Sequence, residues 1–197
     1  NNSGEAIHAN GELNITNTEF INNTDRNSVY ITDSANVTIS DSLFVNTEIR
    51  QGENVSFIVS DFTHLENAIN VVDDELVLDS DVTMTDAEAD KYKDGITINK
   101  DITIDAKGHT IDARELGRIF NIANGATLTL NNAVLINGRA DLGGAIFNDG
   151  VLNINNVTLK DNTALSYGGA IYSHGDVSIS DSTLDGNDIV NRGTSPG

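Results

Sequence analysis

The stretch "GVLNINNVTLKDN" (150–162) is answered 25 residues on by "GDVSISDSTLDGN" (175–187). The same phrase stands in "GELNITNTEFINN" (11–23), "ANVTISDSLFVNT" (35–47) and "ATLTLNNAVLING" (126–138). Its first aliphatic position is filled by Leu13, Val37, Leu128, Leu152 and Val177. Its second is filled by Ile15, Ile39, Leu130, Ile154 and Ile179. The third, seven places after the first, holds Phe20, Phe44, Leu135, Leu159 and Leu184. Between neighbouring copies the step is 24 or 25 residues. Apolar residues two apart mean extended chain with alternate side chains turned inward. Polar corners such as "NN", "SD" and "TN" then lead into a second short strand.

Strands this short, without hairpin loops spaced to pair them and without crossover helices between them, are satisfied by a coil. Each turn then pairs in parallel with the previous one, about 4.8 Å along the axis, and identical side chains stack. A leucine-rich repeat would need its longer Leu/Asn consensus, and an antiparallel sandwich would not require a fixed period. The expected fold is therefore all-β, a parallel β-helix with an Ile/Leu/Val core and Asn/Ser/Thr ladders at the corners.

The middle of the chain departs from the repeat. "SDFTHLENAINVV" (60–72) places Phe62, Leu65, Ala68, Ile69 and Val72 at helical spacing, with Ser60 or Asp61 as N-cap. A short amphipathic helix there would cover apolar side chains and block an open strand edge. The expected organisation is β-helix rungs over 1–59, a capping helix over 60–72, and further rungs over 73–197. Residues 1–59 either end one β-helix before another begins, or the helix lies over one continuous coil. The charged run "DAEADKYKD" (86–94) reads as a solvated loop.

Composition narrows the partners. The formal charge is −19, with only 11 Lys and Arg residues and no basic cluster. Such a surface repels nucleic-acid phosphates and anionic membranes. No run of apolar residues reaches spanning length, and the start "NNSGEAIHAN" has no signal-peptide pattern, as a mature or excised piece of an exported protein would not. There is no cysteine, which removes disulfides, zinc ribbons and cysteine nucleophiles. N-glycosylation triplets occur at Asn14, Asn22, Asn36, Asn54 and Asn156.

Several of these phrases resemble a known family. "GGAI" (143–146 and 168–171), with "FINN", "LKDN" and "LDGN" after a strand, is similar to repeats of chlamydial polymorphic outer-membrane proteins. The block "ITINKDITIDAKGHTIDA" (96–113), then "RIFNI" (118–122) and the GGAI rungs, resembles adhesin-like surface proteins of methanogenic archaea more closely. The resemblance covers most of the chain. It implies a right-handed β-helix on a cell surface, extracellular and non-enzymatic, working in attachment to other cells, glycans or protein. In that family the helix-containing block tends to open a unit, whereas here repeats precede it.

Other β-helices are polysaccharide lyases and hydrolases, and Asp101 and Asp105 with Arg114 or Arg118, or Asp181 with Asp185, could form such a site. Asp at corners more commonly caps turn amides, so no catalytic residue is assigned. The acidic run "DDELVLDSD" (73–81) lacks a calcium-loop pattern, and His8, His64, His109 and His174 have no metal-ligand spacing; neither metal nor cofactor is expected. His109 in "KGHTID" is expected to serve a turn or a structural hydrogen bond. "GGAI" is followed by neither Lys nor a helix, so it reads as a bend rather than a phosphate cradle. Aligning these rungs places Ile7, Val29, Ile119, Ile146 and Ile171 inward. The following residues, His8, Tyr30, Phe120, Phe147 and Tyr172, should then face outward. Tyr30, Phe120, Phe147 and Tyr172 are the candidate ligand-binding face, unless the rings merely stack from rung to rung. End-to-end self-association through open strands is a further expectation.

Overall fold

The computed structural model describes residues 6–23, 29–32, 34–45, 47, 49–50 and 55–190. They form a parallel β-solenoid of about 7 turns. One wall runs through Ile102–Asp105, Thr127–Asn131, Val151–Asn155 and Asp176–Ser180, with Glu75–Val77 at its start. Leu128 lies beside Leu152 and then Val177, and Leu130 beside Ile154 and then Ile179, as the spacing requires. A second wall stacks Val82–Thr83, Thr110–Asp112, Val134–Ile136, Thr158–Lys160 and Thr183–Asp185, which aligns Leu135, Leu159 and Leu184. A third stacks Ile96–Ile98, Phe120–Ile122, Ile146–Asn148 and Ile171–Ser173. Leu128, Leu130, Leu135, Leu152 and Leu159 have no exposed surface. Each such side chain contributes about 1.5–3 kcal/mol on burial, so the stacked columns hold the coil together without disulfides.

The corners explain the Asn and Asp content. Asn132, Asn156 and Asp181 occupy one corner column with φ of 50°, 54° and 50°. Asn137, Asp161 and Gly186 occupy another with φ of 54°, 53° and 62°. Asn and Asp tolerate this left-handed conformation better than other side chains, so the sharp bends select them. Asn162, fully buried, fixes a third corner. Its Oδ1 accepts from Gly138 N at 2.8 Å, and its Nδ2 donates to Leu135 O at 3.1 Å and Asn187 Oδ1 at 2.9 Å.

Helix α1 (Phe62–Val71) begins at Asp61, whose side chain accepts from His64 N. It buries Phe62, Leu65, Ala68, Ile69 and Val71. The helix is set into the side of the coil. It packs between strands Leu43–Val45 and Val82–Thr83, where another strand would otherwise lie. Asn67 completes the strand edge: Phe44 N donates to its Oδ1 at 2.9 Å, and its Nδ2 donates to Phe44 O at 3.1 Å. The side-chain amide thus replaces a missing backbone partner. Beside the helix the first wall goes on. Phe57 pairs with Leu78 in parallel, joining Glu12–Thr16, Asn36–Ser40 and Val55–Ile58 to the later strands. The rungs on the two sides of the helix therefore meet.

The segment 86–94 differs from its expected role as a solvated loop. Asp86–Glu88 forms a 3₁₀ turn and Ala89–Tyr92 a short helix, α2, that packs on α1. Tyr92 is 1% exposed; its ring lies 5.7 Å from that of Phe62, and its hydroxyl donates to Glu66 Oε2 at 2.9 Å. Glu88 is buried and accepts from Thr63 N and Oγ1, both at 2.6 Å, and from Thr85 N and Oγ1 at 2.9 and 2.8 Å. One carboxylate closes two helix starts. Burial would raise its pKa, but these hydrogen bonds outweigh that and hold it below the usual glutamate value.

Candidate functional site

The outward ring column is realised in two separate places. His8 lies beside Tyr30 in the register, with ring centroids 4.9 Å apart. Phe147 lies beside Tyr172, with centroids 5.6 Å apart and planes at 25°. These pairs belong to different sheets. Phe120 is corrected: it aligns with Ile96, Ile146 and Ile171, not with Phe147, and has no exposed surface. The neighbour of Phe147 in that rung is Asn121. Aligning "RIFN" to "AIFN" one residue out caused the error, and a slip of one residue turns every side chain to the other face.

Around Phe147 and Tyr172 the structure gathers more than the column alone. Tyr167 is 66% exposed, and its ring lies 6.5 Å from that of Tyr172 at 40°. His174 meets Tyr172 edge-on at 5.0 Å and Phe147 at 5.7 Å. A hydrogen-bond chain joins them: Asp149 Oδ1 lies 2.8 Å from His174 Nδ1, and His174 Nε2 lies 3.1 Å from the Tyr172 hydroxyl. Tyr167 and His174 are not on the column as read from sequence. Tyr167 sits opposite Leu142, just before the glycine pair, where the register shifts. A ring on that outward position in "SYGGAI" was the available signal.

The glycine pairs seat this cluster. A side chain on Gly144 would lie 2.3 Å from Gly169 O and 2.6 Å from Thr163 N, so successive GG bends nest backbone to backbone. Gly143 has φ of 61°, and a Cβ there would meet Ile146 O at 2.1 Å. Its carbonyl accepts from Arg118 Nε at 3.0 Å. Arg118 also donates to Leu142 O and Asp94 O, both at 2.8 Å, and lies 5.3 Å from the Phe147 ring centroid. Burial lowers the Arg118 pKa, against the attraction of Asp94 and Asp141. Phe147 is therefore held between Arg118 of the preceding turn and Tyr172 of the following one. The rings left to meet a ligand are Tyr167 and Tyr172.

The carboxylates weighed for catalysis are engaged at corners. Asp101 Oδ1 accepts from Thr127 N at 2.8 Å. Asp105 Oδ1 accepts from Lys107 N at 2.9 Å and Asn132 Nδ2 at 3.0 Å. Arg114 pairs with Asp86 at 3.1 Å, Asp181 holds a left-handed bend, and Asp185 is exposed on its strand. In the acidic run, Asp79 meets Lys107 at 3.1 Å, and Asp81 accepts from Thr110 N at 2.8 Å. His109 Nδ1 lies 3.2 Å from Asp81 of the preceding rung, a structural hydrogen bond between turns. His64 Nδ1 lies 2.7 Å from Asp61. Among the described residues no three His, Asp or Glu side chains converge as a metal would require. The triplet asparagines Asn14, Asn22, Asn36 and Asn156 are exposed; Asn54 lies outside the described residues. Asn156 Nδ2 donates to Asn132 Oδ1 at 2.8 Å.

Searches against family models, curated proteins and solved structures returned no match to this chain. No described helix is long and apolar enough to cross a membrane.

Proposed function

We propose that this chain is a stretch of an extracellular, non-enzymatic adhesin-like protein, of the kind found on methanogenic archaea, whose solenoid presents a binding face for other cells or glycans. One observation carries the reading: Tyr167, 66% exposed, stands beside the half-buried Tyr172 on the surface, next to a ring held against a buried arginine. Exposed rings on rigid backbone supply contact area at small entropic cost. The acidic surface keeps such a rod soluble, and four exposed asparagine triplets would accept sugars in an organism that modifies them. The test is to coat beads with the protein and measure capture of cells and retention on a glycan panel, while assaying pectin-like polymers for unsaturated or hydrolysed products. Capture without turnover is expected. Product formation, or no capture of any cell or glycan, would overturn the reading.

A second reading, end-to-end stacking into a filament or coat, is favoured by a different observation. Val177, Ile179 and Leu184 of the last described turn are 40%, 47% and 51% exposed, and line a shallow apolar hollow with Ile171. A further rung stacked on that turn, supplied by a second copy in this reading, would pair its strand edges and cover these core side chains. Fibres that lengthen with concentration, and disappear in Ile179→Lys, would establish it; a monomer at all concentrations would dismiss it.

A further inference from the structure

We infer that the Tyr167–Tyr172 surface takes a neutral saccharide, an inference that rests on the attachment reading and specifies its ligand class. The rings form a strip. Phe147 and Tyr172 stack from one turn to the next with planes at 25°, and Tyr167 extends the row from within the turn of Tyr172 at 40°. An aromatic cage for a quaternary ammonium group would need walls facing inward from several sides. A strip suits a ligand whose own rings follow one another, each with an apolar C–H face and a rim of hydroxyls. The rim has a partner here. Asp149 holds His174 by Nδ1, and the Tyr172 hydroxyl lies at the other ring nitrogen. With both His174 nitrogens so engaged, the groups left for a bound hydroxyl are the second oxygen of Asp149, whose side chain is 42% exposed, and the Tyr172 hydroxyl oxygen.

Charge selects among saccharides. The chain carries a net −19, and Asp141, which precedes the Leu142 that faces Tyr167, and Asp176, two residues after His174, are exposed. Arg118, the described cation that lies against Phe147, is buried and donates to three backbone carbonyls, so it offers an anion nothing. Uronate, sialylated and sulfated glycans therefore meet repulsion without a compensating pair. A protein partner would need a contact of about 800 Å² per side, far more than two rings and a histidine supply.

Short neutral oligosaccharides (gluco-, manno- and chito-oligomers) and anionic ones of matched length (oligogalacturonate, heparin fragments) are titrated. Tyrosine fluorescence and aromatic NMR shifts are followed; the absence of tryptophan leaves four tyrosines as the only fluorophores of note. At least one neutral series is expected to move the Tyr167 and Tyr172 resonances. Tyr167→Ala is expected to weaken it about tenfold, or about 1.4 kcal/mol, and Tyr167→Phe to restore it. Tyr167 is exposed enough that neither change should unfold the chain. Preference for anionic fragments at these rings, or a response only to a quaternary ammonium probe or to a protein, would overturn the neutral-saccharide inference while leaving attachment standing. Cell capture that survives loss of both rings would overturn the site itself.

Discussion

Asn162 has no exposed surface, yet every polar atom of its side chain is matched. Removing it strands Gly138 N and Leu135 O in the interior, and unmet buried groups cost about 1–3 kcal/mol each. Asn162→Ala is expected to lower stability by about 3 kcal/mol in urea unfolding. Asn162→Asp should cost more, because its carboxylate would face two acceptors, Leu135 O and Asn187 Oδ1. If Asp proved as stable as Asn, the corner ladder would not be the source of stability. At this scale the sequence was readable where a residue type recurs in column: the Asn/Asp corners follow from repetition and from tolerance of left-handed φ. Phe120 was misread because the loop before it breaks the count, and periodicity carries no register across an irregular insertion.

At the element scale, α1 depends on a residue outside itself. Glu88 accepts four hydrogen bonds, two of them from Thr63 in the first turn of α1. Glu88→Gln, which keeps the shape but turns an acceptor into a donor, is expected to cost about 2 kcal/mol, measured as a fall in the urea midpoint. The pH dependence has a definite sign. Because the folded-state pKa is below the ordinary glutamate value of 4.5, the carboxylate's contribution is complete above about that pH. It is lost as pH falls through the lowered folded value. Thermal midpoints of the wild type should therefore drop on acidification below about pH 4.5, with a smaller drop in Glu88→Gln. Equal acid sensitivity in both would place the titrating group elsewhere; Asp79, also lowered, would be next to test. Helix α1 was legible because Phe62, Leu65, Ala68 and Ile69 keep helical spacing behind an Asp cap. The packed segment 86–92 was not, since its charges look solvated in one dimension and only tertiary contact reveals that Glu88 and Tyr92 face inward.

At the scale of the whole molecule, stability is built from turns that touch only their neighbours. Removing one full rung, residues 127–150, would bring Leu152 beside Ile102 and leave every column in register. Such a shortened chain is expected to fold with the same β-type circular dichroism and a modestly lower melting temperature. Removing half a rung should abolish cooperative unfolding, because it turns the apolar columns to solvent. Similar behaviour of the two deletions would contradict a stacked coil. The coil was the most legible feature of the sequence, since three apolar columns at a constant step admit few architectures. The ring surface was only half legible. Phe147 and Tyr172 lie on the repeat, whereas Tyr167 and His174 come to them from beside it, through the glycine bend and the Asp149 contact.

The most direct test of the central claim, that the repeat is scaffold and the outward rings are the attachment surface, is a side-by-side adhesion measurement. Beads would carry the wild type, the double variant Tyr167→Ala/Tyr172→Ala, and a control with Asp185→Asn on an exposed strand of another wall. The expected result is a loss of capture of at least about tenfold in the ring variant alone, with circular dichroism unchanged in all three. Undiminished capture by a folded ring variant would contradict the claim.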